Sequence, residues 1–114
     1  MSNNLAVRMY PEPLRTLAFG SISGTYAGLG AALAYPSRIY WVQNQTDVVL
    51  TYSWDGVNDH FVIAAGGFVL LDVTSNRTDT GGSLNIAVGQ RTYVKGSPTL
   101  GATYLTSFYG FNGN

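Results

Sequence analysis

Thr46–Thr74, TDVVLTYSWDGVNDHFVIAAGGFVLLDVT, decides the fold. Val48, Leu50, Tyr52 and Trp54 alternate with Val49, Thr51 and Ser53. One face is therefore bulky and the other mixed, as a half-buried strand requires. Asp55-Gly56 tolerates positive φ and turns the chain, so that His60–Ala64 can return. Gly66-Gly67 breaks that run before Phe68–Val73 begins a third. The stretch predicts a β-meander and contains no catalytic pattern.

Outward from it, the same alternation continues. Arg38–Asn44 predicts a strand with Ile39 and Trp41 on one side and Tyr40 and Val42 on the other, turned into the meander by Asn44-Gln45-Thr46-Asp47. Thr74–Gly82 reads as a polar loop, and Leu84, Ile86 and Val88 as an inward-facing run. Arg91–Lys95 and Ala102–Tyr109 predict two more strands, separated by Gly96-Ser97-Pro98. Met1–Pro13 is polar, with Pro11 and Pro13 flanking Glu12, and reads as an extended arm rather than a helix. Thr16–Ser37 is ambiguous. Gly20, Gly24 and Gly28 stand four apart in an uncharged run long enough to span a bilayer. Glycine this dense argues instead for one or two strands joined at Ser23-Gly24 and a small-residue loop ending at Pro36, with a short turn possible around Ala31–Ala34.

The expected fold is all-β: an antiparallel β-sandwich or jelly-roll-like small barrel of seven to eight short strands with an extended N-terminal arm. It is one domain, in which residues 1–37 supply the arm and first strands, 38–110 the sandwich core and 111–114 a tail. At 114 residues the chain suffices for one core. Charged residues are only 11% of it, and six basic and six acidic residues cancel. Little repulsion then keeps copies apart, which predicts a surface covered by partner subunits. Arg8, Arg15, Arg38, Arg77, Arg91 and Lys95 are scattered, with no stripe to track phosphates, so nucleic acid is not an expected partner. No membrane partner is expected either. There is no cysteine for disulfides or thiolate metal sites, and residues 1–10 lack a signal-peptide layout, which predicts synthesis in the cytoplasm. Asn44-Gln45-Thr46 and Asn76-Arg77-Thr78 fit the glycosylation sequon but read as turns.

Each candidate chemistry has a plainer reading beside it. Asp55 and Asp59, next to the sole histidine His60, make an oxygen-rich turn that could hold calcium; the spacing fails the EF-hand pattern, and such residues favour turns anyway. Gly20-Ser21-Ile22-Ser23-Gly24 resembles a nucleophile elbow but has isoleucine where the serine must stand. No phosphate-binding glycine loop occurs, and no spacing selects a carboxylate pair for glycoside cleavage. No enzyme and no cofactor are expected. Tyr40, Trp41, Tyr52, Trp54, Tyr93, Tyr104, Phe108 and Tyr109 could form a sugar-stacking platform, but alternating strand aromatics are more often core or subunit interface. Interface positions are expected at Tyr10, Pro11, Leu14, Tyr26, Tyr35, Tyr109 and Phe111.

Asn44-Gln45-Thr46-Asp47, then Ser53–Phe61, then Ala65-Gly66-Gly67-Phe68 and Leu71-Asp72-Val73, resemble small virion structural proteins of tailed bacteriophages. The Gly89–Lys95 and Gly101–Tyr109 runs are similar as well. The resemblance covers about residues 38–110, rests mostly on turn chemistry, and brings no active site with it. It implies localisation in the virion and a non-enzymatic subunit of the head–tail junction or tail. Such a subunit assembles with its own copies through sheet edges and terminal arms, and touches portal, tail or major capsid protein. A capsid decoration (cement) protein is the near alternative, and a carbohydrate-binding module for host surface glycan the alternative of a different class.

Overall fold

The structure, a computed structural model, describes residues 7–72 and 86–112. Among these residues are nine strands: β1 (Val7–Pro11), β2 (Arg15–Ala18), β3 (Ala27–Gly28), β4 (Ser37–Thr46), β5 (Leu50–Ser53), β6 (Phe61–Ile63), β7 (Phe68–Asp72), β8 (Tyr93–Lys95) and β9 (Gly101–Asn112). They form two antiparallel sheets. The first has the order β1-β9-β4-β7, with β2 also on β9; the second has the order β3-β8-β5-β6. The fold is an antiparallel β-sandwich whose nine strands exceed the seven to eight expected, because part of the arm is itself strand.

Residues 7–18 are therefore not a free arm. β1 and β2 share one edge of β9: Val7–Pro11 opposite residues 108–112, Arg15–Ala18 opposite 102–105. Proline has no N–H to give a ladder, so pairing lapses between Pro11 and Leu14 except for Glu12 N–H to the Ser107 carbonyl at 2.9 Å.

The expected meander is also corrected. β5 and β6 pair in the second sheet, but β7 crosses over and pairs with β4 in the first. The crossing is the turn at Ala64–Gly67. Gly66 takes φ +78° there, its N–H donates to the Asn44 carbonyl at 2.8 Å, and Asn44 N–H donates to the Gly67 carbonyl at 2.9 Å. The turn after β4 comes later than expected, since the strand runs to Thr46. Ile86 makes only an isolated bridge to Ser37 and Val88 is exposed, so the expected inward run past Ile86 is not a strand. Leu84 and the loop at residues 74–82 lie outside the described residues. Residues 29–36 are a loop that buries Leu29 and Leu33. Among the described residues, no helix is long and apolar enough to cross a membrane.

The core lies between the sheets. Tyr40, Val42 and Leu105 of the first meet Leu50, Tyr52, Ile63 and Val94 of the second, with Ile22 and Leu29 from the β2–β3 region closing it. Each such side chain contributes about 1.5–3 kcal/mol on burial. Two tyrosines reach across in opposite directions. Tyr40 bonds Thr92 and accepts from Trp54 Nε1 at 2.9 Å. Tyr52 bonds Thr103 Oγ1 at 2.7 Å; because Thr103 gives its own hydrogen to the Gln43 carbonyl at 2.8 Å, Tyr52 is the donor. Asn44, fully buried, donates to the Val48 and Ile63 carbonyls, both at 2.9 Å, and accepts from Thr46 N–H at 3.0 Å. It fastens both sheet-to-sheet crossings at one point. Gly101, at φ +86°, lets β9 start against β4, since a Cβ would stand 2.0 Å from the Gln45 carbonyl oxygen.

Candidate interaction surface

The outer face of the first sheet follows from register. Residues opposite one another in a sheet share a face, and alternate residues share it along a strand. Thr106, Trp41 and Leu70 form one row, Tyr104, Gln43 and Phe68 the next, and Phe108, Ile39 and Asp72 the third. The intervening residues Tyr40, Val42, Thr103, Leu105 and Ser107 are buried, so these rows point outward. Trp41, Leu70 and Phe68 are 37%, 49% and 60% exposed, and Trp41 meets Phe68 edge-on at 6.2 Å. Asp72 is the one charged side chain in the three rows. β7 is the outermost strand on that side among the described residues.

A second aromatic group lies at the far end of the same sheet. Tyr109 continues the inward phase of Thr103, Leu105 and Ser107, but here its cover is Tyr35. The two rings stack at 3.9 Å and 16°, and Tyr10, directly across from Tyr109 in the ladder, stacks on it at 5.6 Å. Tyr10 and Tyr35 remain exposed at the ends of the stack. Burial, then Tyr35, raises the Tyr109 hydroxyl above its ordinary pKa.

Beside this stack the break between β1 and β2 forms a groove of about 430 Å³, walled by Glu12–Thr16 and by Gly30, Ala31, Ala32 and Ala34. Glu12 and Arg15 are buried in its floor and paired at 2.8 Å. Arg15 uses four of its five N–H groups here: besides the bond to Glu12, Nε donates to the Ala31 carbonyl at 2.7 Å, Nη1 to Ser107 Oγ at 3.2 Å and Nη2 to the Ala32 carbonyl at 3.1 Å. Glu12 Oε1 accepts from Arg15 and from Ala34 N–H, while Oε2 is buried with no partner.

Of the positions expected at interfaces, the structure brings Tyr10, Tyr35 and Tyr109 together and puts exposed Leu14 on the rim of the adjoining groove. Pro11 lies on the opposite face, across from Phe108. Tyr26 is elsewhere, donating to Asp59 under Lys95 Nζ, which is 3.1 Å from Asp59 and 4.6 Å from the Tyr26 ring centroid. Burial and then the bond to Asp59 push the Tyr26 hydroxyl up to about 12. The Phe111 side chain lies outside the described residues.

The two metal candidates bond to different partners. Asp55 Oδ1 accepts from Ser53 Oγ and from Val57 and Asn58 N–H, each at 2.8 Å, and Oδ2 from Asn58 Nδ2 at 2.8 Å. These donors, Asn58 N–H first, hold its carboxyl well below the usual carboxylate range. Asp59 is likewise lowered, by Tyr26 and then Lys95. Asp55 thus serves its own turn, and Asp59 ties that turn to Tyr26 and Lys95. His60 Nδ1 accepts from Trp54 N–H at 3.0 Å, which leaves the ring proton on Nε2 in the neutral imidazole.

Sequence reasoning assigned Glu12 and Arg15 no role, and nothing in Pro-Glu-Pro-Leu-Arg signals that an ion pair is buried there. It did separate Trp41 from Tyr40, but not which of the two faces out. No protein-family model matches this sequence, and no curated protein or solved structure is significantly similar to it.

Proposed function

We propose that this chain is a non-enzymatic virion structural protein of a tailed bacteriophage, an oligomeric β-sandwich subunit of the head–tail junction or tail. The observation that carries the reading is the outer face of the first sheet, where Trp41, Leu70 and Phe68 stand in register with one charged residue among them. Contiguous apolar patches beyond a few hundred Å² mark interaction sites, and a stable contact covers about 800 Å² on each partner. Three strands about 4.8 Å apart, with rows about 7 Å apart along them, give a patch on the order of a few hundred Å², the size that marks such a site. The likeness of residues 38–110 to small phage virion proteins supplies the context. Cryo-electron microscopy of purified particles tests it: density for this sandwich as a ring at the neck or tail supports the assignment, density on the capsid lattice replaces it with the decoration reading, and absence from particles refutes both.

Tyr35, 44% exposed where it stacks on Tyr109, favours one other reading, a module that stacks on host glycan. Retention of the isolated chain on a glycan array, lost in Tyr35→Ala, is its signature.

A further inference from the structure

We propose that the groove beside Glu12 is a socket for residues 2–6 of a second copy of this chain, a reading that rests on the assembly role above and gives it a specific contact. The first argument is the unpaired acceptor. Glu12 is 7% exposed, yet Oε2 has no donor, because the Arg15 hydrogen bonds go to Oε1, to Ser107 Oγ and to the Ala31 and Ala32 carbonyls. Leaving a buried carboxylate oxygen unbonded is unfavourable, so the assembled state is expected to bring a donor.

The second argument is the chemistry of the walls. Pro13, Leu14, Ala31, Ala32 and Ala34 are apolar, and the Glu12–Arg15 pair is neutral as a unit. The fitting occupant is uncharged, with one hydrogen-bond donor next to an aliphatic side chain. A sugar brings several hydroxyls for which the groove has no partners. Residues 2–6, Ser-Asn-Asn-Leu-Ala, are uncharged and include both the donor carboxamide of Asn4 and the aliphatic Leu5.

The third argument is reach. Val7 pairs with Asn112, and Glu12 N–H bonds the Ser107 carbonyl, so the chain before Val7 departs at the far tip of the β1–β9 ribbon. Val7 to Glu12 is about 17 Å of strand, whereas Leu5 is two residues from Val7 and reaches about 7 Å. Leu5 cannot enter its own groove. A neighbour's Leu5 can, in a head-to-tail contact of the kind that closes rings or extends filaments.

The cysteine-free chain allows a direct test. A Leu5→Cys variant is mixed with an Ala32→Cys variant of the full chain under mild oxidation, and covalent heterodimer is measured beside a control mixture of Leu5→Cys with Asn58→Cys. Bound segments raise the local thiol concentration from micromolar toward millimolar, so at least about tenfold more heterodimer than in the control is expected. Assembly into oligomers without that excess overturns the socket and leaves the structural role intact. A mixture that stays monomeric at high concentration overturns both. An Asn4→Asp change, which sets a carboxylate against Glu12, is expected to abolish the excess; its persistence overturns the donor assignment.

Discussion

The inner and outer faces of the first sheet are built from the same kinds of residue and used differently. On the inner face Tyr40 is buried and its hydroxyl is tied to Thr92 and Trp54, and the buried Tyr52 of the second sheet is tied to Thr103. On the outer face Trp41 and Phe68 meet edge-on and, with Leu70, are 37–60% exposed. An aromatic with a placed hydroxyl partner specifies one packing; an aromatic without one provides apolar area that any complementary surface can cover. The inner face makes the fold, and the outer face is the one that the proposed assembly would cover.

The contrast breaks most sharply at Asn44. Asn44→Ala strips donors from the Val48 and Ile63 carbonyls and an acceptor from Thr46, and is expected to cost roughly 2–4 kcal/mol in urea unfolding. Tyr40→Phe leaves Trp54 Nε1–H and the Thr92 hydroxyl without their partner and should cost about 1–3 kcal/mol; a smaller loss than for an outer-face change would undo the contrast.

Two titrations sharpen it. Burial pushes the Tyr52 hydroxyl up to about 12. The folded state thus favours the protonated form, and this stability is complete below the ordinary tyrosine value near 10 and lost as pH climbs through about 12. Ultraviolet titration should show Tyr52 ionising late, together with loss of the fold, and Tyr52→Phe should remove that step. Asp55 has the opposite sign: its folded pKa is depressed, so its contribution is present at neutral pH and declines as pH falls below about 4 toward the folded value. Asp55→Asn should lower stability at pH 7 and flatten the acid limb of the pH–stability curve; an unchanged limb would show that the turn does not depend on the carboxylate. The smallest effect on the isolated fold is expected from Trp41→Ser with Phe68→Ser, within about 1 kcal/mol, because neither side chain lies between the sheets. The same pair should abolish assembly as measured by sedimentation velocity.

Much of this was legible in the chain. The alternation of Leu50 and Tyr52, the turn at Asp55-Gly56 and the strand through Tyr40 and Val42 follow from a period of two and from turn chemistry, which are local properties. Tyr10, Tyr35 and Tyr109 stood among seven interface candidates in the sequence but were not legible as a stack, since β1, the loop before β4 and the end of β9 meet only through long-range pairing. The turn at Gly66-Gly67 was read correctly as a turn and wrongly as a hairpin. Local sequence bends the chain, but which sheet receives β7 depends on the Asn44 backbone waiting on the other side.

By itself, then, the sequence determined that this is an antiparallel sandwich of short strands with little charge, because strand period, turn residues and composition act over a few residues at a time. Only the tertiary structure decided which aromatic face was sealed in and which left open, and that Glu12 and Arg15 meet beneath a groove. Those outcomes depend on which strands become neighbours, and distant residues such as Thr92, Thr103 and Ser107 supply the partners.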